Sequence, residues 1–290
     1  MKICRFDDNR LGVLQGDAVR DVTAALDVLP TYNTYPLPTV DPLIAHLDKV
    51  RGRIDELLPD APQLALSQVS LLSPVANPGK IIAAPVNYLK HLDEARTDSQ
   101  IHHQNAILEI QKIGVFLKAT SSLCGVSAGV DIQHPDRRND HEAELVAVIG
   151  KTGRNIRRED ALSHVAGYCI GLDMTTRGPE ERSLRKSIDS YSVVGPWMVT
   201  SDELADPASL DFSLWVNGEL RQKANTRDLI IDVAGLIEYA SSFYSLQPGD
   251  LLFTGTPEGV GPVAPGDTIA VEMRGIGRTE VAVRLSPTAG

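Results

Sequence analysis

Asp140-His141-Glu142-Ala143-Glu144-Leu145-Val146-Ala147-Val148-Ile149 sets an acidic head on a short apolar run. A run of this length and composition reads as a buried strand. Side chains alternate along a strand, so Glu142 and Glu144 share a face about 7 Å apart. That face continues through Val146 and Val148 into a core, where unpaired carboxylates are costly. A hard divalent cation such as Mg²⁺ resolves the conflict, because it prefers oxygen ligands and retains water. Read without a cation, the same residues are solvated glutamates at a strand end.

Working outward, Lys80 to Pro85, Val115 to Leu117 and Tyr168 to Met174 read as further strands, and Thr268 to Leu285 alternates in strand fashion. Short strands are also expected around Ile3, Gly12–Leu14 and Ala18–Val22. Helical spacing of Leu43, Ile44, Leu47, Val50 and Ile54 marks one helix. A second is expected from Thr226, as its N-cap, to about Tyr244. Tyr88 to Glu94 reads as a helical turn, Arg158 to Val165 as a short helix, and Arg96 to Gly114 as a mobile lid containing His102 and His103. Ser73-Pro74 to Pro78-Gly79 marks a boundary, dividing a small N-terminal domain (1–72) from a main domain (73–290). Many strands, few helices and no regular βα alternation give a β-rich α+β fold.

The composition is ordinarily globular, with 42% hydrophobic and 23% charged residues among 290. A net charge of −10, with basic residues only in short pairs such as Arg137-Arg138, makes a poor partner for nucleic acid or an anionic membrane. The N-terminal residues lack the apolar core of a signal peptide, and no stretch approaches the roughly 18 apolar residues of a membrane span. Three widely spaced cysteines argue against a disulfide scaffold and for a reducing compartment. The expectation is a soluble cytoplasmic protein.

Asp173, at the end of the strand after Tyr168, offers a third carboxylate beside Glu142 and Glu144; alone it also reads as a turn residue. In Asn87-Tyr88-Leu89-Lys90-His91-Leu92-Asp93-Glu94, His91 and Glu94 are neighbours on a helix. A carboxylate beside an imidazole raises its basicity and sets its tautomer, as a water-activating base requires, though spacing alone equally describes a surface pair. Arg182, Arg185 and Lys186 form a basic patch that reads as anion handling or as a solvated helix face. The loop Gly255-Thr256-Pro257-Glu258-Gly259-Val260-Gly261 offers backbone N–H groups and a hydroxyl, and reads equally as a structural turn.

Taken in order, Asn87-Tyr88-x-x-His91-x-x-Glu94, Phe116-Leu117-Lys118, Glu142-Ala143-Glu144-Leu145, Gly171-Leu172-Asp173, Lys186-Ser187-x-Asp189, Gly195-Pro196-Trp197 and Thr254-Gly255-Thr256-Pro257-x-Gly259-Val260-Gly261 resemble the fumarylacetoacetate hydrolase family, in its acylpyruvate hydrolase and hydroxydienoate isomerase branch. The resemblance implies a mixed β-sandwich roll, a homodimer, a keto-acid substrate and a divalent metal (Mg²⁺, or Mn²⁺ or Ca²⁺ in its place). It implies Glu142, Glu144 and Asp173 as metal ligands and His91 with Glu94 as the water-activating dyad. Lys186 would steady negative charge, and Tyr88, Lys118, Arg177 and Thr256 would contact the substrate. Leu172-Asp173-Met174-Thr175-Thr176-Arg177 departs from the Asn-Asp-Val-Ser-Ala-Arg that many members carry, and Ala119 stands where proline is common.

The reaction implied is hydrolytic C–C cleavage of a β-diketo acid, with decarboxylation or isomerisation at the same site as the alternative. A metal-stabilised binding protein without catalysis is a third reading.

Overall fold

The computed structural model describes residues 1–33, 35–102 and 108–289. The chain opens with the meander β1 (Lys2–Phe6), β2 (Arg10–Gln15) and β3 (Ala18–Asp21). After α1 (Pro42–Ala45) and α2 (Leu47–Leu57), strands β4 (Gln63–Ala65) and β5 (Leu71–Leu72) return to β3 and β1. β6 (Ile81–Ala83) leads into α3 (Leu89–Thr97), α4 (Ser99–His102), α5 (Ile110–Ile113) and β7 (Phe116–Lys118). Short strands β8 (Leu123–Cys124), β9 (Val130–Ile132) and β10 (Asn139–His141) precede the long β11 (Ala143–Ile149) and β12 (Val165–Asp173). β13 (Thr175–Thr176), α6 (Arg182–Lys186) and β14 (Ser192–Thr200) follow, then the hairpin β15 (Asp211–Val216) and β16 (Glu219–Asn225). α7 (Val233–Phe243), β17 (Leu251–Phe253), β18 (Gly261–Pro262), β19 (Thr268–Met273) and β20 (Gly277–Leu285) complete the chain.

The main sheet runs β4-β3-β2-β1-β14-β12-β11-β17-β6-β7, with β5 on β1 and β8 on β14. It is continuous across residue 72, because Lys2 and Ile3 of β1 pair with Val199 and Met198 of β14. A second sheet, β16-β15-β19-β20-β9, and a small one, β13-β10-β18, complete the β-rich roll. Apolar residues on β11 alternate between two cores. Leu145, Ala147 and Ile149 pack with α7 and the second sheet, through Leu236, Ile237, Leu214 and Val271. Val146 and Val148 pack with Val50 and Ile54 of α2. A strand covered on both faces must be apolar throughout, which is why the run reads so clearly in the sequence.

The expected strands all form, within a few residues. The expected helix from Thr226 does not: Asn225 caps a short 3₁₀ turn at Thr226–Asp228, and the α-helix begins only at Val233, capped by the Asp232 side chain on Gly235 N (2.9 Å). The hairpin β15–β16 and strand β14 were not expected. Asn217 and Gly218 close the hairpin with φ of +50° and +81°, the left-handed pair that a two-residue turn needs. The predicted helix over 43–54 breaks at His46 into α1 and α2. Of the expected lid, residues 103–107, His103 among them, lie outside the described residues.

Candidate active site

Antiparallel register brings the carboxylates together. Ala143 of β11 pairs with Leu172 of β12, and Asp173 N–H donates to the Glu142 carbonyl (2.9 Å). Asp173 therefore arrives beside the head of β11. β10 holds β13 on one side and β18 on the other, so the chain after Asp173 and the chain after the glycine loop are both tied just before Glu142. Ligand atoms from Glu142, Glu144 and Asp173 all lie within 4.8 Å of one another, and all three residues are buried.

Cations partly offset this charge. Lys186 Nζ donates to Glu142 Oε2 (2.6 Å), Asp173 Oδ2 (2.8 Å) and Thr175 Oγ1 (2.6 Å), using all three of its protons. Arg177 bonds Asp140 Oδ2 (2.7 Å) and Glu142 Oε1 (3.0 Å). Burial would raise the Glu142 carboxyl, but Lys186 and Arg177 outweigh it and hold the group well below the usual range. Glu144 differs. It accepts Gly255 N–H (2.6 Å) and has no ion pair among the described residues. Burial, with Asp173 and Glu142 close by, drives its carboxyl well above the usual range. Three converging carboxylates, one of them without a cation, are a donor set that fits a hard divalent cation.

His91, only 4% exposed, lies on α3 with Nδ1 on Glu94 Oε2 (2.8 Å). The other Glu94 oxygen accepts Gly259 N–H (2.9 Å). Asn87 anchors the approach to α3, donating to Thr254 O and Ile231 O (2.8 Å each) and accepting Ile231 N–H (2.9 Å). His91, the three carboxylates, Arg177 and Lys186 line one cleft.

The glycine loop thus serves the protein's own acids: its amides at Gly255 and Gly259 hold Glu144 and Glu94. Gly255 needs its φ of +98° to do so, and a Cβ there would stand 2.6 Å from Asn87 Cβ. Thr256 lines the cleft, but its hydroxyl donates to Ala143 O (3.0 Å) and accepts from Gln222 Nε2 (2.8 Å). Holding a substrate carboxylate would require that proton to turn away from Ala143.

Two expected substrate contacts stand elsewhere. Tyr88 does not line the cleft; it packs in the core, edge-on to Phe212 at 6.5 Å. Lys118 sits behind the site, its ammonium on Asp173 and on Tyr191 O (2.8 Å). Of the basic patch, Lys186 is buried in an ion-pair centre with Glu142 and Asp173, whereas Arg182 and Arg185 are half-buried at the cleft. Sequence reasoning missed Asp140, which orients Arg177, and Gln222, which accepts Ala143 N–H (3.0 Å) while bracing Thr256. Asp140 stands in the acidic head of the run but its spacing gives it no role there, and Gln222 carries no signal, since each acts through tertiary contacts.

A carboxylate cluster that calls for a divalent cation, with an imidazole–carboxylate pair on the same cleft to take a proton from water, defines a metal-dependent hydrolase. Residues 80–284 match the family described as fumarylacetoacetate (FAA) hydrolase C-terminal. The chain belongs to the fumarylacetoacetate hydrolase family. It is 61% identical to a maleylpyruvate hydrolase of Aquipseudomonas alcaligenes, over 98% of this chain and 99% of that one. The crystal structure of maleylpyruvate hydrolase from Sphingobium sp. SYK-6, in complex with manganese(II) and pyruvate, is 43% identical with a TM-score of 0.83, covering 99% of this chain and 100% of that one. A mitochondrial oxaloacetate tautomerase of Xenopus laevis is 38% identical over 74% of this chain and 68% of its own.

Proposed function

We propose that this chain hydrolyses the C–C bond of an acylpyruvate of the maleylpyruvate kind, releasing pyruvate and the acid of the acyl group. The observation that carries the reading is the convergence of the His91–Glu94 pair and the Glu142–Glu144–Asp173 cluster on one cleft. In this reading the cluster is the metal site and receives the 2-oxo acid end of the substrate. A bound Mn²⁺ or Mg²⁺ would supply Lewis-acid polarisation of the 2-oxo acid oxygens.

With Nδ1–H donated to Glu94, the His91 Nε2 keeps a lone pair and takes a proton from water. The hydroxide adds to the distal carbonyl. Collapse breaks the C–C bond, and the electron pair passes to the carbon that becomes the pyruvate methyl group. The proton taken from water returns to that carbon. Lys186 and Arg177 keep Glu142 ionised, and Lys118 holds the Asp173 carboxylate in place.

The test follows the ultraviolet enol absorbance of maleylpyruvate and acetylpyruvate with Mn²⁺ and with EDTA, while quantifying pyruvate. Metal-dependent loss of the enol with equimolar pyruvate is expected. Loss of absorbance without pyruvate would mark tautomerisation, the activity named for the Xenopus relative. Release of CO₂ would mark decarboxylation.

A cytoplasmic homodimer belongs to the same proposal. The unpaired cysteines Cys4, Cys124 and Cys169 support a reducing compartment. Leu117 on the edge strand β7 and Leu184 on α6, exposed at 38% and 62%, support a covering partner copy. Analytical ultracentrifugation would read the mass.

A further inference from the structure

Four cationic side chains line the cleft, and they fall into two kinds. Lys186 and Arg177 are taken up by the carboxylates of the site itself. Arg182 and Arg185, one turn of α6 apart, have no carboxylate partner among the described residues.

Arg182 makes no hydrogen bond or ion pair among those residues; its guanidinium carbon lies 5.4 Å from the centre of the Phe116 ring. Arg185 bonds only backbone carbonyls, Nε to Glu180 O (2.8 Å) and Nη1 to Thr176 O (3.2 Å), leaving Nη2 unused. The charges of Glu181 and Glu180 act on Arg182 and Arg185 respectively, but neither acid forms an ion pair with them. Glu180 pairs with Arg137 (2.7 Å), and Glu181 accepts Ser183 N–H (2.6 Å).

Half-buried guanidinium groups are ordinarily paired, because desolvation without a partner is unfavourable. Burial does lower the affinity of both groups for their protons. Stacking on Phe116 positions Arg182 while leaving its planar fork of donors open, and that fork is complementary to a carboxylate.

We propose that Arg182 and Arg185 form a subsite for a second carboxylate at the far end of the substrate, so that the enzyme selects acylpyruvates whose acyl group is itself an acid. The inference rests on the reading that the pyruvyl end lies at the Glu142–Glu144–Asp173 cluster. It adds the residues that choose the tail, which the catalytic groups do not.

The experiment compares maleylpyruvate with acetylpyruvate, whose acyl group carries no carboxylate, using Mn²⁺-loaded wild type, Arg182→Gln, Arg185→Gln and Arg182→Lys. For maleylpyruvate, kcat/KM is expected to fall about 10- to 100-fold in each Gln variant, as for loss of a charged hydrogen bond, and to recover partly in Arg182→Lys. For acetylpyruvate the change should stay within about threefold. An equal fall on both substrates, or no fall on either, overturns the proposal. Calorimetric titration with maleate provides an arm independent of turnover: binding should weaken about 10-fold or more in the Gln variants. Unchanged maleate affinity, or no maleate binding by wild type, also overturns it. If no acylpyruvate is hydrolysed while maleate binding still depends on the two arginines, the hydrolase reading fails and the subsite stands.

Discussion

Glu94 divides its two oxygens between elements far apart in sequence, one on His91 and the other on the Gly259 amide. That second bond fixes the carboxylate and, through it, the imidazole tautomer. His91→Asn should lower kcat about 10²- to 10⁴-fold, the usual contribution of a general base, while Mn²⁺ affinity measured by calorimetry stays within error. A fall in both would mean that His91 organises the metal site instead. Glu144→Gln should lower both. It removes the one carboxylate of the cluster that has no ion-pair partner among the described residues, and Mn²⁺ affinity should fall by about 100-fold or more along with turnover. Full metal-dependent turnover in that variant would sink the metal assignment.

The loop from Gly255 to Gly261 joins metal ligand and base into one unit, since its two amides hold Glu144 and Glu94. Gly255→Ala would strain a backbone at φ +98° and press on Asn87. It should weaken Mn²⁺ binding about 10- to 100-fold, as for loss of an outer partner of a ligand, with circular dichroism showing the fold retained. At α7 the effect is on stability alone. Asp232→Ala removes the cap on Gly235 N–H and should cost about 1 kcal/mol, a Tm decrease of about 2–4 °C, with kcat unchanged.

Residues 1–72 complete the main sheet and cover one of its faces. β1 pairs with β14, and Ile44, Val50 and Ile54 pack on Val146, Val148 and Phe253. A chain beginning at residue 73 should bind the dye ANS and aggregate, because it exposes both that apolar face and the edge of β14. A soluble, active fragment would show that the main domain stands alone. For the whole chain, Mn²⁺ at about 100 times its Kd should stabilise the native state by about 2.7 kcal/mol. EDTA should return Tm to the metal-free value.

The sequence by itself determined many of the strands, though not β14 or the β15–β16 hairpin, and most of the chemical alphabet of the site. β11 is covered on both faces and must be apolar along its length, so its run stands out against the polar chain around it. His91 and Glu94 are helical neighbours, and Glu142 and Glu144 alternate as a strand requires, so local periodicity carries both pairs. Contacts between distant segments were settled only by the tertiary structure. Asp173 joins the cluster through the register of β12 on β11, and Lys186 turns inward because those carboxylates lie within reach of its ammonium. The start of α7 is delayed because residues 230–231 are bonded to Asn87, more than 140 positions earlier. A hydrogen bond or ion pair across such a separation leaves no periodic trace in the chain, since it depends on where the fold places two side chains and not on how far apart they are in sequence.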